Sequence, residues 1–187
     1  MTKDEDLIWV EKVLSGDTNA FAILVERHQD AVYTLIRRIL KRDDEAEDTT
    51  QMVFLKAYHS LAGFNRKSMF STWISRIAYN SAISEYRKKK NKVHLGDDKL
   101  MNQLATNLAD ENDSYEKESL LAQLETAVGQ LEPEDNALIT FYYMQQQSVD
   151  EISQITGLSV PNVKTRLFRI RKKLQEKILQ ETTTQQF

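Results

Sequence analysis

The sequence predicts an all-α protein made of two small helical domains joined by an acidic linker. Two observations support the fold class. Glycine occurs 5 times and proline 2 times in 187 residues, so residues that interrupt helices are scarce. Apolar residues recur at intervals of three and four along most of the chain, which is the period of amphipathic helices. A third observation separates the domains: the apolar pattern loosens from about residue 91 to 118, where the chain becomes polar and acidic.

These features divide the chain into four predicted segments. We expect an N-terminal domain over residues 1–93, a linker over 94–119 with at most one weak helical segment, a C-terminal domain over 120–180 and a tail over 181–187. A chain of this length can bury two small cores. We expect the tail, ETTTQQF, to fray.

Three helices are predicted in the N-terminal domain. The first is a long amphipathic helix marked by Phe21, Leu24, Val25, His28, Val32, Leu35, Ile36 and Ile39. The second follows Ala46, Thr50, Val53, Ala57 and Leu61, and it begins in the acids of 43–45, which suit a helix N-terminus. The third begins near Ser71, a candidate cap, and carries Trp73, Ile74, Ile77, Ala78 and Ile83.

The C-terminal domain has the sequence signals of a helix-turn-helix. Apolar periodicity resumes at Leu120, and a later helix carries Leu138, Ile139, Tyr142 and Tyr143. A short helix from Val149 to Ile155 follows Ser148, and Gly157 stands where that helix must end in a left-handed conformation. Ser159 caps the last helix, and Pro161 lies in its first turn. Two helices joined by a tight turn form the unit that reads the major groove of DNA.

The last helix, predicted from about Ser159 to Leu174, has two different faces. Its buried stripe is Val163, Leu167, Ile170 and Leu174. Another face carries Asn162, Thr165, Arg166, Arg169 and Lys172, beside Lys164, Phe168 and Arg171. Such residues can contact base edges and phosphates, which predicts duplex DNA binding. The alternative is an ordinary basic surface helix.

Composition excludes several function classes. The chain has no cysteine, and its three histidines form no ligand-spaced cluster, so we predict no metal and no cofactor. No glycine-rich phosphate loop or nucleophile–base pair is present, and we predict no enzymatic activity. The N-terminus is acidic where a signal peptide needs bases, and no apolar run is long enough for a membrane span. We therefore expect a soluble cytoplasmic protein without direct membrane insertion.

The formal net charge of −3 conceals an uneven distribution. Residues 96–120 carry 7 acids and 2 bases, whereas residues 161–180 carry 7 bases and a single acid, Glu176. A second basic stretch runs from Arg87 to Lys92. Contact with phosphates depends on the local field rather than on the net charge. The charge pattern therefore favours nucleic-acid binding at two separate places.

Three features of the N-terminal domain have both a structural and a functional interpretation. Asp48, Gln51, Met52 and Leu55 share a face that the core stripe does not use, either a solvated surface or a binding surface. The third helix and its start carry aromatic, basic and amide side chains, of which a core accounts for Phe70, Trp73 and Ile77 but not for Phe64, Arg76 and Asn80. The run from Arg87 to Lys90 is a solvated charge run, a localisation-type patch or a phosphate-binding site.

Four segments together resemble a known family. They read DAVYTLIRRIL, AEDTTQMVFLKAY, FSTWISRIAYNSAISEYRKKK and SVDEISQITGLSVPNVKTRLFRIRKKL, in this order. They are similar to successive regions of bacterial RNA polymerase sigma factors of the sigma-70 family, and the short two-domain layout is similar to the extracytoplasmic-function (ECF) subfamily. The resemblance covers nearly the whole chain outside the linker and tail. It implies a transcription initiation factor that directs core RNA polymerase to promoters.

The resemblance implies three binding surfaces. Asp48, Gln51, Val53 and Phe54 match a segment that docks on the β′ clamp, which implies polymerase binding through Asp48, Gln51, Met52 and Leu55. Capture of the −10 element as single-stranded DNA is implied for Lys56, Phe64, Trp73, Arg76, Asn80, Arg87 and Lys88. Reading of the −35 duplex is implied for Asn162, Lys164, Thr165, Arg166, Phe168, Arg169 and Lys172.

Further partners follow from the same resemblance. The family contacts the β flap as well as the β′ clamp, its linker passes toward the RNA exit path, and many members are held by an anti-sigma factor. A bacterial, nucleoid-associated location is implied when the protein is active. Two residues depart from the family pattern: Met52 stands where an acid is usual, and Ser84 stands where Asp is usual.

A rival hypothesis is a LuxR-like DNA-binding regulator that does not bind core polymerase. It accounts equally well for the helix-turn-helix between Pro133 and Leu174. It does not account for the segments 48–54 and 64–80 or for the acidic linker. Co-purification with core polymerase distinguishes the two hypotheses.

Overall fold

The computed structural model describes the backbone of residues 3–93 and 115–184 and the side chains of residues 5–91 and 121–179. Most of the predicted linker lies outside these residues. Within them the chain forms eight α-helices and no β-strand, which confirms the all-α prediction. The helices are α1 Lys3–Leu14, α2 Ala20–Leu40, α3 Asp43–Ser60, α4 Phe70–Val93, α5 Tyr115–Gly129, α6 Pro133–Ile139, α7 Val149–Thr156 and α8 Val160–Thr184. None of the helices in the described part is long and apolar enough to cross a bilayer.

The N-terminal domain is a bundle in which α2, α3 and α4 pack against one another. The predicted apolar stripe of α2 is mostly buried, since Leu24, Leu35, Ile36 and Ile39 have no exposed surface. From α3 the core receives Ala46, Val53 and Ala57, and from α4 it receives Ile74, Ala78, Ala82 and Ile83. A 3₁₀ turn, Leu61–Gly63, follows α3 and contributes Leu61 to the same core.

Helix α1 is an addition to the predicted helices, and it packs across α2 and α4. Its buried Asp6 accepts a hydrogen bond from Arg27 Nη1 at 3.0 Å and lies 2.9 Å from His28 Nε2. Burial alone would raise the pKa of Asp6, but the hydrogen bonds and charges of His28 and Arg27 outweigh burial and hold this pKa below its usual value. The carboxylate therefore ties α1 to α2 in its charged form.

Two details of the predicted N-terminal helices are corrected. Helix α4 begins at Phe70, so Ser71 lies inside its first turn rather than at its cap. In α3 the buried threonine is Thr49, whereas Thr50 is only partly buried. Both errors are of about one residue, which is the usual uncertainty of helix boundaries and faces read from a pattern.

The C-terminal domain contains the predicted helix-turn-helix in α7 and α8. Ser148 forms a capping box with Glu151, in which each side chain accepts a backbone N–H of the other residue. Gly157 ends α7 in the left-handed region at φ 76°, which favours glycine. Helix α8 then starts directly after Ser159. Helix α5 begins at Tyr115, ahead of the apolar periodicity, and α8 continues to Thr184, so the first residues of the predicted frayed tail are helical.

A π-helical turn, Thr140–Met144, follows α6, and its side chains do not continue the faces of α6. Phe141 is fully buried, whereas Tyr142 and Tyr143 are exposed and form an edge-to-face pair with centroids 4.9 Å apart. Leu138 and Ile139 of α6 enter the core as predicted. The extra residue in the π turn breaks the 3.6-residue period, which is why the tyrosines do not continue the apolar stripe.

The two domains pack against each other along one seam, in which α7 lies on α4 and α6 lies on α2. Tyr79 and Phe141 meet at the seam with ring centroids 6.2 Å apart. Gln145 Nε2 donates to the carbonyl oxygen of Ala31 at 2.9 Å, and Lys41 Nζ lies 3.4 Å from the carbonyl oxygen of Leu131. An open cleft of about 490 Å³ remains between the domains and is lined by residues of both.

Candidate nucleic-acid interface

One face of α3 presents an exposed mixed surface. Asp48 and Gln51 are exposed, and beside them Met52 and Leu55 leave 51% and 53% of their surface in solvent. Val53 and Phe54 lie on the opposite side and are buried. Exposed apolar side chains framed by polar groups are typical of a protein-binding surface. We call these four exposed residues the α3 face.

Helix α4 has three faces with different environments. Ile74, Ala78 and Ala82 pack into the N-terminal core. A second stripe, which includes Thr72, Ser75 and Tyr79, is also buried although it is largely polar. The third stripe carries Trp73, Arg76, Asn80, Ser84 and Arg87, all at spacings of three and four. On this stripe Trp73 is half-buried and the other four are exposed, which leaves an aromatic edge next to polar and basic groups.

Phe64 does not lie on the exposed stripe. Only 3% of its surface is exposed, and its ring packs against Phe70 and Trp73 with centroids 5.9 and 5.3 Å apart. The expectation that a core could not account for Phe64 is therefore wrong. The 3₁₀ turn directs the ring inward, and an extruded base could stack on it only if the cluster of three rings opened. Arg76 and Asn80, in contrast, lie outside the core as expected.

A groove of about 410 Å³ separates α3 from α4. Lys56 reaches across it and donates to Ser81 Oγ at 3.0 Å, and Ser84 lines the same groove. Lys88 lies at its end and donates to Glu85 at 2.7 Å. The groove also borders Asp48 and Met52, so it connects the α3 face with the basic end of α4.

Helix α8 separates apolar and basic residues as the sequence predicts. Val163, Leu167, Ile170 and Leu174 are buried. Asn162, Lys164, Thr165, Phe168, Arg169 and Lys172 are exposed, and Phe168 exposes 63% of its surface. A large exposed aromatic ring on a basic face contributes nothing to the core, so it is available for contact with a thymine methyl group or a sugar.

Arg166 differs from its neighbours because it is held by an acid of its own domain. Its Nε and Nη2 both donate to Asp135 Oδ1 of α6, at 3.1 and 2.5 Å. The adjacent residue, Glu134, pairs with Arg87 of α4 at 3.3 Å. The pKa of Tyr79 is raised, mainly by burial and secondly by the charge of the Glu134 carboxylate. The Tyr79 hydroxyl group therefore interacts with the same charged groups. The signal that could have revealed the cluster was the pair of acids in the first turn of α6.

The predicted residues therefore group on three surfaces. The α3 face and the exposed α4 stripe lie on the N-terminal domain, and Asp48, Met52 and Ser84 border the groove between the two helices. The basic α8 face lies on the C-terminal domain. Among the described residues no cluster of histidine, aspartate and glutamate has the geometry to hold a metal ion.

Two family models cover most of the described chain. Residues 24–92 match Sigma-70 region 2, and residues 121–174 match Sigma-70 region 4. The chain belongs to the sigma-70 family. In this sigma factor region 2 contains α2, α3 and α4, and region 4 contains the helix-turn-helix of α7 and α8.

Individual relatives place this sigma factor in the ECF subfamily. The ECF RNA polymerase sigma-E factor of Haemophilus influenzae is 35% identical over 181 residues, which cover 92% of this chain and 95% of that protein. A solved structure of CnrH in complex with the cytosolic domain of CnrY is similar with a TM-score of 0.67 at 26% identity, covering 92% of this chain and 96% of that one. The sigma factor RpoE from Bartonella quintana, solved with the anti-sigma factor NepR, shares the fold with a TM-score of 0.70 at 22% identity, over 84% of this chain and 96% of that one. The chain is thus a promoter-directing transcription initiation factor.

Proposed function

We propose that this sigma factor divides promoter recognition among its three surfaces. The α3 face docks on the β′ clamp of core RNA polymerase, the α4 stripe captures the −10 element as melted single strand, and the α8 face reads the −35 element as duplex. The working segments are region 2 over residues 1–93, a linker over 94–119, region 4 over 120–180 and a tail over 181–187. The main support for this proposal is that α3, α4 and α8 each bury one face in a core and present the proposed binding residues on another, exposed face.

Docking on the clamp rests on the chemistry of the α3 face. Met52 and Leu55 offer apolar area that the fold leaves uncovered, and Asp48 and Gln51 supply polar groups that fix orientation. Met52 stands where the family usually has an acid. We expect this exchange to make the contact more apolar and less dependent on salt.

Capture of the −10 strand rests on the α4 stripe and the groove beside it. Trp73 offers a partly exposed ring for stacking, and Asn80 offers donors and an acceptor to the edge of a base. Arg76, Lys56 and Lys88 supply the positive charge that a phosphate backbone requires. Phe64 takes no direct part, because it supports Trp73 from inside the domain.

Reading of the −35 duplex rests on the first turns of α8. In a helix-turn-helix the recognition helix enters the major groove, and its N-terminal residues contact base edges. Asn162, Thr165 and Arg169 occupy that position and are exposed. Lys164 and Lys172 flank them and contact phosphates, which fixes position without setting the base sequence. Phe168 lies beside them and contacts a thymine methyl group or a sugar.

The energetics explain why this protein works on polymerase and not alone. Opening a short bubble costs on the order of 10 kcal/mol at a mean of about 1.4 kcal/mol for each base-pair step. Stacking one extruded base on an aromatic ring returns only about 1–3 kcal/mol. Trp73 therefore stabilises a bubble that the clamp and channels of polymerase help to open.

Regulation by an anti-sigma factor belongs to the proposal, and it is supported by the NepR complex of the structural relative. We also propose contact with the β flap, action in the bacterial cytoplasm and at the nucleoid, and no catalytic activity of its own. These features follow from membership of the family rather than from any single residue.

Run-off transcription tests the proposed function. Core polymerase and this protein are mixed with fragments of the source genome, and the transcripts are sequenced to find shared sequences near −35 and −10. We expect initiation only when both components are present, from sites that share both elements. Initiation that does not depend on this protein, or DNA binding without polymerase recruitment, contradicts the proposal and favours a LuxR-like regulator.

A further inference from the structure

We propose that Asp135 is a positioning residue for the recognition helix, and that it acts by holding Arg166 and not by touching DNA. This role rests on the proposed function of the α8 face, the reading of the −35 duplex. Arg166 Nε and Nη2 both donate to Asp135 Oδ1, at 3.1 and 2.5 Å. Because the guanidinium fork is rigid, two donors on one oxygen fix both its direction and its plane. Arg166 thereby joins α8 to the first turn of α6.

Arg166 lies at the edge of the α8 face, next to the core. It follows Val163 by three residues and precedes Ile170 by four, and both of these residues are buried. Only 35% of the Arg166 side chain is exposed. Thr165 and Arg169, in contrast, are exposed on the part of the face that points away from the core. The guanidinium group of Arg166 is therefore held against α6, while its neighbours on α8 project into solvent.

The first turn of α6 is a rigid support for this contact. Asn136, the residue after Asp135, is 2% exposed, and its Nδ2 donates to the carbonyl oxygen of Val128 at 3.1 Å, which ties α6 to the end of α5. Leu138 is fully buried, so the core also holds α6. The Asp135 side chain is 23% exposed, and water and salt therefore screen its pair with Arg166 less than a pair on the open surface.

Base reading requires that the rotation of α8 about its own axis is fixed. Val163 and Leu167 hold α8 on the core, but apolar burial is not directional. At a radius of about 5 Å, a rotation of about 20° moves a side-chain tip by about 1.7 Å. A hydrogen bond to a base edge tolerates a change of only about 0.5 Å. A directional contact beside the core stripe therefore keeps Asn162, Thr165 and Arg169 aligned with the bases.

Contacts with phosphates tolerate such a rotation. Lys164 and Lys172 carry their charges on long flexible chains, which can follow a phosphate when the helix turns. Loss of the Asp135 contact should therefore reduce discrimination between DNA sequences and preserve the general affinity for duplex. A contact that only stabilised the fold would lower both affinities together. This difference separates a positioning residue from a structural one.

Binding of short duplexes by core polymerase carrying the full chain tests this role. One duplex contains the −35 sequence found by run-off transcription and the other a scrambled version, and fluorescence anisotropy gives both affinities over a range of salt concentrations. We expect Asp135→Ala and Arg166→Ala each to lower the ratio of the two affinities by at least about fivefold, the least that a lost base contact is worth. The affinity of Asp135→Ala for the scrambled duplex should equal that of the parent.

The double variant Asp135→Ala, Arg166→Ala distinguishes a positioning contact from a DNA contact. Substitutions of two residues that act as one unit are not additive, so the double variant should lose no more discrimination than either single variant. The slope of log K against log salt for Arg166→Ala should match that of the parent. A phosphate contact of Arg166 would instead make Arg166→Ala the more damaging single substitution and reduce this slope by about 0.9, which would overturn the positioning role.

The matched control is Glu132→Gln, which also removes one carboxylate at the start of α6 but from an exposed side chain. We expect this variant to keep the parent ratio of affinities. Equal losses in Glu132→Gln and Asp135→Ala would reveal a general effect of charge and overturn the role of Asp135. Asp135→Glu keeps the carboxylate and should retain most of the discrimination.

Thermal melting followed by circular dichroism checks that each variant folds. If Asp135→Ala melts below the parent, the double variant decides, because it leaves neither charge unpaired. An unchanged ratio in the folded variants, or an equal fall in both affinities, overturns the positioning role and leaves α8 as the reader of DNA. A parent protein that binds both duplexes equally shows instead that the proposed reading of the −35 element by region 4 is wrong.

Discussion

Replacement of Phe64 by alanine distinguishes a structural ring from a base-stacking ring. The side chain is 3% exposed and contacts both Phe70 and Trp73, so its removal leaves a cavity inside region 2. Truncation of a buried phenylalanine costs about 3–5 kcal/mol, which is a large part of the about 5–15 kcal/mol that stabilises a typical domain. Loss of a stacking surface on DNA would instead leave the free energy of unfolding unchanged.

The assay is urea unfolding of the full chain, followed by circular dichroism, for the parent and for Phe64→Ala. Asn80→Ala is the control, because Asn80 is exposed on the neighbouring stripe and its loss should change stability by less than about 0.5 kcal/mol. We expect Phe64→Ala to lower the unfolding midpoint of region 2 clearly. A Phe64→Ala chain that unfolds like the parent but fails to open promoters would refute the buried role assigned to this ring.

Three further predictions concern the other surfaces and the N-terminal helix. Arg169→Ala should weaken binding to −35 duplex by about 1–3 kcal/mol. Asn80→Ala should impair promoter opening and leave duplex binding intact. Equal effects of the two substitutions on closed-complex formation would contradict this division of roles. Lys172→Ala should weaken binding to all duplex sequences alike and reduce the slope of log K against log salt by about 1, as measured by fluorescence anisotropy. The pKa of Asp6 is lowered in the folded chain. Its contribution to the free energy of unfolding is therefore present above its unfolded pKa of about 3.9 and is lost as the pH falls through the folded pKa. Urea unfolding between pH 5 and pH 3 should show that the difference in stability between the parent and Asp6→Asn becomes smaller as the pH falls.

The fold and the DNA-reading helix could largely be predicted because they depend on local signals. The stripe of Val163 and Leu167, the capping residue Ser148 and the left-handed Gly157 each act within a few residues of sequence. The three buried faces of helices α2, α3 and α4 follow from periodicity in the same way. Membership of the sigma-70 family was predicted from the order of four segments.

The features that the sequence did not reveal depend on contacts between distant residues. Phe64 is buried because a 3₁₀ turn directs it toward Phe70 and Trp73, and no periodicity crosses that turn. Helix α1 has the apolar spacing of a helix at Leu7 and Val10, but its attachment to α2 depends on contacts of Asp6 with Arg27 and His28 that no local pattern indicates. The seam joins residues far apart in the chain, such as Tyr79 and Phe141, and no local pattern indicates their contact. The roles of individual residues on DNA and polymerase remain predictions that binding measurements must test.

Binding of the protein to core polymerase tests the central claim most directly. The double substitution Asp48→Arg, Gln51→Arg changes the α3 face. Glu26→Arg, Gln29→Arg is a matched control, because it replaces an acid and a glutamine at the same spacing on the exposed side of α2. We predict that the parent and the control bind core polymerase with equal affinity and direct initiation, whereas the α3 double variant loses both. Undiminished binding of the α3 variant, or equal loss in both variants, would contradict the assignment of α3 as the surface that joins this sigma factor to the enzyme.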